Sequence, residues 1–224
     1  MFRKFAAFWG PLEHFLFLDS DIVVLGNLEE LFEAYFLSKC DFMYYHRGNF
    51  DPVYKPGNFR DKMINEYSAN GFNSGSFLSS KDVLTLDELH SLAHDAFLIK
   101  ENFVDYCGDQ PFFNYCVDIK RLNTKTFPEF IPDLGPSCWA NFEPIKLSRG
   151  TYQLYGKRML FIHWAGFKLE SYIPNRRIFL HYRLKSESWA LRLKYHFYYW
   201  LKGFNYNLYY WLRKIKYRFY NRNA

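Results

Sequence analysis

Residues 15–24 read Phe-Leu-Phe-Leu-Asp-Ser-Asp-Ile-Val-Val, and this stretch decides the fold class. Four apolar residues run directly into Asp19 and Asp21, and three more apolar residues follow. A nearly continuous apolar run predicts a central strand that is buried on both faces of a sheet. Residues two positions apart in an extended chain point to the same side, so the two carboxylates are expected to converge on one object.

Two neighbouring carboxylates at the end of a buried strand are costly to desolvate unless a positive charge lies between them. A divalent cation that carries a phosphate ligand meets this requirement. The simpler interpretation is a pair of solvated loop carboxylates with no ligand. The motif by itself leaves both interpretations open.

The residues that follow predict a capped amphipathic helix. Asn27 is a candidate N-cap, and Glu30 lies three residues later, where its side chain can complete a capping box. Apolar residues then recur with helical spacing, at Leu28, Leu31, Phe32, Tyr35 and Phe36. A strand, an acidic turn and a helix in this order indicate an open α/β sheet, whose ligands lie beyond the carboxyl ends of its strands.

The composition narrows the class of protein. A hydrophobic content of 49% excludes an intrinsically disordered chain. The four cysteines include no Cys-x-x-Cys pair, which favours reduced thiols in the cytoplasm over a disulfide framework or a zinc site. Since no stretch of about 18 uninterrupted apolar residues occurs, a membrane-spanning helix is not predicted.

The positive charge is concentrated near the end of the sequence. Residues 185–224 hold nine Lys or Arg, 14 aromatic residues and one acid, Glu187, for a net charge of +8. The other 184 residues hold 20 basic and 22 acidic residues, for a net charge of −2, which argues against a nucleic-acid-binding domain with a broad basic face. We therefore predict an α/β domain at residues 1–184 and an amphipathic basic–aromatic helical tail at residues 185–224.

Aromatic and cationic residues on one helix favour the headgroup region of an anionic membrane. The tail thus predicts peripheral attachment to the inner face of the plasma membrane. Packing of the tail against the domain or a partner protein is one alternative. Binding of single-stranded nucleic acid is another.

Three further polar clusters each close or follow an apolar stretch, so all four could gather at one edge of the sheet. They are Asn73 within Phe-Asn-Ser-Gly, Asp109-Gln110, and His163-x-x-Gly166-x-Lys168. Each has a simpler interpretation when taken alone. His163 could be an ordinary strand-end histidine and Lys168 a solvated lysine. Asn73 could be a turn residue, and Asp109 could cap the helix that Pro111 opens.

The ordered series resembles the A-type-fold glycosyltransferases, especially the glycogenin and lipopolysaccharide galactosyltransferase group. Enzymes of that group carry a strand-borne D-x-D, F-N-[AS]-G, D-Q and H-x-x-G-x-K in this order, and the resemblance covers about residues 8–170. It implies a Rossmann-like mixed sheet flanked by helices. It also implies transfer of a sugar from a nucleotide-diphosphate sugar to a glycan or lipid-linked acceptor, with retention of anomeric configuration.

The resemblance also implies a role for each matching residue. Asp19, Asp21 and His163 would hold a divalent metal that bridges the donor diphosphate, and this mixed ligand set suits Mn²⁺, with Mg²⁺ as the other choice. The remaining assignments concern substrate: Gly166 and Lys168 at the diphosphate, Asn73 and Ser74 at the donor sugar, and Asp109 and Gln110 as catalytic residues beside the sugar.

The sequence departs from the family pattern in one respect. Such transferases have on the order of 80–100 residues before the D-x-D motif, and here 18 residues precede Asp19. We therefore expect an N-terminally truncated domain that lacks most of the base-binding region and has an open sheet edge prone to association.

Two alternatives to a transferase follow. One is a haloacid-dehalogenase-like phosphatase with Asp19 as nucleophile and Asp21 as acid, although no Gly-Thr follows Asp21. The other is an inactive fragment or membrane-associated adaptor.

Overall fold

The computed structural model describes residues 2–46, 48–140, 145–166 and 175–202. Contacts divide the chain into two compact units. The first comprises Met1–Cys138 and Lys146–His163, and the second comprises Trp139–Ile145 and Trp164–Ala224.

The first unit alternates short strands with helices. It begins with a 3₁₀ helix, Phe2–Trp9. Its strands and α-helices are β1 (His14–Leu18), β2 (Ile22–Val24), α1 (Glu29–Ser38), β3 (Phe42–Tyr44), α2 (Asn58–Tyr67), β4 (Ser76–Ser80), α3 (Leu86–Leu98), α4 (Gln110–Ile119), β5 (Thr124–Thr126), α5 (Phe127–Phe130), β6 (Lys146–Ser148), β7 (Thr151–Leu154), β8 (Lys157–Arg158) and β9 (Phe161–His163). Two more 3₁₀ turns, Lys100–Asn102 and Asp105–Cys107, connect α3 to α4.

The strands form three sheets among the described residues. The largest has the order β1-β4-β3-β5, in which β4 is antiparallel to both neighbours and β3 is parallel to β5. Strand β2 pairs antiparallel with β9, and β6, β7 and β8 form an antiparallel meander. The predicted α/β class, a mixed sheet flanked by helices, is confirmed.

The position of β1 corrects one expectation. It lies at an end of the four-stranded sheet rather than in its centre, and of its five residues only Phe15 is buried. An apolar run alone does not distinguish a central strand from an edge strand that is covered on its faces.

The core is built mainly of phenylalanine rings, between the sheet and the helices. Five rings have centroids within 6.0 Å of the Phe77 ring, those of Phe8, Phe15, Phe17, Phe42 and Phe113. All five pairs meet edge-to-face or stacked, which are arrangements that aromatic rings commonly adopt. Through Phe8, this packing fixes the 3₁₀ helix over β1 and β4.

The start of α1 also differs from the prediction. Its N-cap residue is Leu28, with no side-chain cap bond. Asn27 instead bonds to the backbone N–H and side chain of Glu29. Glu30 forms a bidentate ion pair with Arg158 on β8, so the predicted capping box is wrong and a long-range ion pair replaces it.

The second unit contains α6 (Arg176–Arg183) and a further helix, α7, at residues 189–202. The Trp164 ring meets the Phe179 ring at 5.5 Å, and the Arg176 guanidinium donates to the Tyr199 carbonyl. The predicted helical tail is thus helical at residues 189–202, and residues 203–224 lie outside the described part. Within the described residues, no helix has both the length and the apolar character needed to cross a membrane.

Candidate active site

The two aspartates lie in the turn between β1 and β2. The Asp19 N–H donates to the Gly75 carbonyl at 2.8 Å, which continues the β1–β4 ladder by one pair. The Ile22 N–H then donates to the Asp19 carbonyl at 3.1 Å and closes the turn. The chain therefore reverses at the aspartates, and both side chains stay partly exposed.

Strand β9 brings His163 to this turn, because Ile22 and His163 are register partners in the β2–β9 pair. The His163 Nε2 atom lies 3.0 Å from an Asp21 oxygen and 3.9 Å from an Asp19 oxygen. One ligand atom from each of the three residues lies within 4.8 Å of the others, which makes this group a possible metal site. The convergence joins residues more than 140 positions apart in the sequence.

The electrostatics of the two carboxylates differ. Burial raises the pKa of Asp19, with partial opposition from the Lys4 ammonium. The hydrogen bond from His163 holds the pKa of Asp21 below its ordinary value. The His163 side chain is 2% exposed, and its Nδ1 atom has no hydrogen-bond partner among the described residues.

The donor set fits a divalent metal. It offers carboxylate oxygens from two residues and one imidazole nitrogen, all of which are ordinary ligands of divalent metals. Gly75 leaves the room that this arrangement needs. A Cβ atom there would overlap His163 Cε1 and lie 2.7 Å from an Asp19 oxygen.

Lys4 is a site residue that the sequence did not reveal. Its ammonium lies 3.2 Å from Asp109 Oδ1 and 3.9 Å from Asp19 Oδ1, and it donates to the hydroxyl and carbonyl of Ser74 at 3.1 and 3.2 Å. The side chain is only 8% exposed. A single lysine beside apolar residues carries no motif, and only the folded 3₁₀ helix places it here.

Helix α4 supplies Asp109 and Gln110 at its N-terminal end. Asp109 is the N-cap residue but makes no side-chain cap bond, because its carboxylate pairs with Lys4. The Gln110 Oε1 atom accepts from Asn73 Nδ2 at 3.2 Å and from the Ser74 N–H at 3.3 Å. Asn73 Oδ1 accepts from the Gly75 N–H at 3.0 Å, so Asn73 also shapes the turn.

The structure thus brings seven of the nine candidate residues into one network: Asp19, Asp21, Asn73, Ser74, Asp109, Gln110 and His163. Gly166 has a φ of +74°, a left-handed conformation that favours glycine, and it belongs to the second compact unit. Lys168 lies outside the described residues.

A mixed sheet flanked by helices and a candidate metal group at a strand end agree with the A-type glycosyltransferase fold. The sequence model of the family described as "Glycosyl transferase family 8" matches residues 2–168. The chain belongs to this family and is a glycosyltransferase, as the ordered motifs predicted. No curated protein and no solved structure matches the chain. Membership of this family decides against a haloacid-dehalogenase-like phosphatase.

Proposed function

We propose that this glycosyltransferase moves a hexosyl group from a nucleotide-diphosphate sugar to a glycan or lipid-linked acceptor, with retention of anomeric configuration. The proposal assigns Mn²⁺, or alternatively Mg²⁺, to the group of Asp19, Asp21 and His163. The observation that carries it is the convergence of these three side chains in a member of a glycosyltransferase family.

The charge of the site supports a divalent cation. Asp19, Asp21 and Asp109 carry three negative charges when ionised, and Lys4 supplies one positive charge, so a net charge of −2 is left to neutralise. When bound, the metal would supply Lewis-acid stabilisation of the diphosphate leaving group.

The chain's own residues would hold and orient the sugar. Asp109 would accept hydrogen bonds from its hydroxyl groups, Gln110 would accept or donate them, and Asn73 and Ser74 would contact the sugar beside them. Lys4 holds Asp109 beside Ser74 and thereby fixes the acid in place. Gly166 and Lys168 would contact the diphosphate, with the lysine acting as a fixed positive charge on the leaving group.

The reaction can be tested by nucleoside diphosphate release. The full chain is incubated with Mn²⁺ and a panel of UDP-, GDP-, ADP- and TDP-linked hexoses, with water or oligosaccharides as acceptor. We expect release that depends on Mn²⁺ and falls at least 100-fold in Asp21→Asn. Leu92→Ala, in the core on α3, is the control for general destabilisation. Absence of release with every donor would contradict the proposal and favour the adaptor alternative.

We further propose that the tail, which includes α7, attaches the enzyme to the cytoplasmic face of the plasma membrane. Four exposed apolar side chains fall on one face of α7, at Trp189, Leu193, Phe197 and Trp200. Arg192 and Lys194 are exposed on either side of this face. Exposed aromatic residues flanked by cations favour an anionic lipid interface, and this position would bring the site to lipid-linked or envelope acceptors.

Vesicle co-sedimentation tests the attachment. The full chain is expected to sediment with vesicles containing anionic lipid, and replacement of Trp189 and Phe197 by serine is expected to reduce the bound fraction severalfold. A serine at Phe97, which is exposed on α3, gives a matched control. Equal recovery in the supernatant with and without vesicles would contradict this assignment.

A further inference from the structure

Three buried polar residues recur every four positions along α4, which is otherwise almost entirely apolar on its buried sides. They are Gln110, Asn114 and Asp118, and we call them the polar row. Residues four apart lie one above the other on a helix, so the polar row forms a single line of side chains. Buried polar groups are costly unless they are hydrogen-bonded, and each member of the row has partners.

The partners of two members of the row lie in one neighbouring segment, at Phe72 and Ser74. Gln110 accepts from the Ser74 N–H and Asn114 bonds to the backbone of Phe72, whereas Asp118 accepts from the Tyr54 hydroxyl at 2.6 Å. Four helical residues rise about 6 Å, and two residues of chain span at most about 7 Å, so the spacing of Gln110 and Asn114 matches that of Ser74 and Phe72. Gln110 and Asn114 thus hydrogen-bond this segment to the helix.

Asn114 makes the central and most complete of these connections. Its Oδ1 accepts from the Phe72 N–H at 2.8 Å, and its Nδ2 donates to the Phe72 carbonyl at 3.0 Å and to the Gln110 carbonyl at 3.0 Å. The side chain is fully buried. The Asn114 amide therefore connects Phe72, the residue just before Asn73, to Gln110, the first residue of α4.

We propose that Asn114 is a positioning residue of the transferase, which sets the separation between the Asn73–Ser74 turn and Gln110. This inference rests on the proposed glycosyl transfer at this site. Asn114 does not face the substrate region itself and acts through Phe72 and the start of α4. Since a displacement of about 1 Å in a reacting pair can lower a rate about 100-fold, a loose connection here would reduce turnover more than donor affinity.

The test compares Asn114→Asp and Asn114→Leu with the wild-type full chain. The aspartate keeps the acceptor for the Phe72 N–H but loses both amide donors, whereas the leucine loses all three hydrogen bonds. The number of folded sites is counted by Mn²⁺-binding stoichiometry, and kcat is expressed per Mn²⁺ site with the best donor of the panel. Thr85→Ala and Leu92→Ala, both on α3, control for loss of stability.

We expect kcat per site to fall 10- to 100-fold in Asn114→Asp and further in Asn114→Leu, with the KM for donor changed less than threefold. Amide exchange at Phe72 is expected to quicken at least tenfold in Asn114→Asp, which confirms that the connection has been loosened even if Asn114→Leu does not fold. The two α3 controls are expected to keep the wild-type kcat per site.

Wild-type kcat per site in Asn114→Asp together with faster exchange at Phe72 would overturn the positioning role. An equal loss of kcat per site in the α3 controls would also overturn it. Absence of turnover by the wild-type chain with every donor would overturn the proposed function instead, and with it the reaction assigned to Asn114.

Discussion

At the scale of single residues, the site depends on one position that has no side chain. Gly75 follows Ser74 and lies against both His163 and Asp19. Its φ is not in the left-handed region, so its requirement is one of space rather than of backbone conformation. The constraint acts directly on the candidate metal ligands.

Gly75→Ala is therefore expected to weaken Mn²⁺ binding by about 10- to 100-fold, the range seen when ligand orientation is disturbed. The added methyl group must displace the His163 ring or the Asp19 carboxylate. Isothermal titration with Mn²⁺ measures the effect. Gly10→Ala is a suitable control, because a Cβ atom there would make only an ordinary contact, at 3.4 Å from the Ala7 carbonyl oxygen. Unchanged affinity in Gly75→Ala would show that the three side chains do not form the metal site.

Asp118 is a second residue with a measurable signature. Burial raises its pKa from 3.8 to about 7, against the hydrogen bond from Tyr54 that lowers it. Between these two values the folded chain holds a proton that the unfolded chain releases. The free energy of unfolding contributed by this group therefore falls as the pH rises from about 4 to about 7, by up to about 1.4 kcal/mol per pH unit, and is constant above pH 7.

Asp118→Asn removes this titration. Relative to wild type, we expect the variant to gain stability progressively from pH 5 to about pH 7 and to keep that gain at higher pH. Urea unfolding of both proteins at pH 5.0, 6.5 and 8.0 measures the difference between their free energies of unfolding. The other titrating groups contribute equally to both proteins, so they cancel in this difference. A difference that does not change with pH would contradict the raised pKa.

At the scale of secondary-structure elements, α3 begins with a complete capping box. The Thr85 hydroxyl accepts from the Glu88 N–H, and the Glu88 carboxylate accepts from the Thr85 N–H. The same carboxylate accepts from Lys120 at 2.6 Å, just after the last residue of α4. The start of α3 is thus joined to the end of α4.

Thr85→Ala is expected to lower the free energy of unfolding by about 1 kcal/mol, because the Glu88 N–H loses its partner. The urea midpoint gives the measurement. Thr85→Ser keeps the hydroxyl and should retain most of the stability. An equal loss in the serine variant would assign the effect to the methyl group rather than to the cap.

The elements also show how far the sequence alone could lead. The strand before Asp19, the helix opened by Pro111 and the strand ending at His163 were predictable from apolar runs and turn residues. Lys4 was not, since its role depends on tertiary packing of a 3₁₀ helix. The spacing of Gln110, Asn114 and Asp118 was visible in the sequence, but their partners Ser74, Phe72 and Tyr54 were not. The capping box at Asn27 failed because Arg158, 128 residues from Glu30, takes the carboxylate.

At the scale of the whole molecule, the free edge of β1 is the most consequential surface. At the two ends of the β1–β4 pair, the Glu13 carbonyl accepts from the Lys81 N–H and the Asp19 N–H donates to the Gly75 carbonyl. Because hydrogen-bonded positions alternate along an antiparallel pair, the N–H and C=O groups of Leu16 face away from β4. Within the described part of the chain, no other strand pairs with this edge. The edge carries neither lysine nor proline, the residues that usually discourage edge-to-edge pairing.

We expect the full chain to self-associate through this edge as concentration rises. Leu16→Pro removes an outward N–H and should weaken association at least tenfold while leaving the β4 ladder intact. Phe17→Pro removes a ladder N–H and serves as the contrasting variant, which is expected to unfold instead. Sedimentation velocity across a concentration series gives the measurement. Association that persists unchanged in folded Leu16→Pro would place the interface elsewhere.

The cluster of phenylalanine rings around Phe77 has a practical consequence for such work. Aromatic rings shield protons held over their faces, so core methyl protons that lie over these rings should resonate upfield of their random-coil frequencies. A state that keeps its helices but loses fixed side-chain packing gives no such dispersion. A one-dimensional proton spectrum would therefore report, within minutes and without labelling, whether a variant retains its native interior.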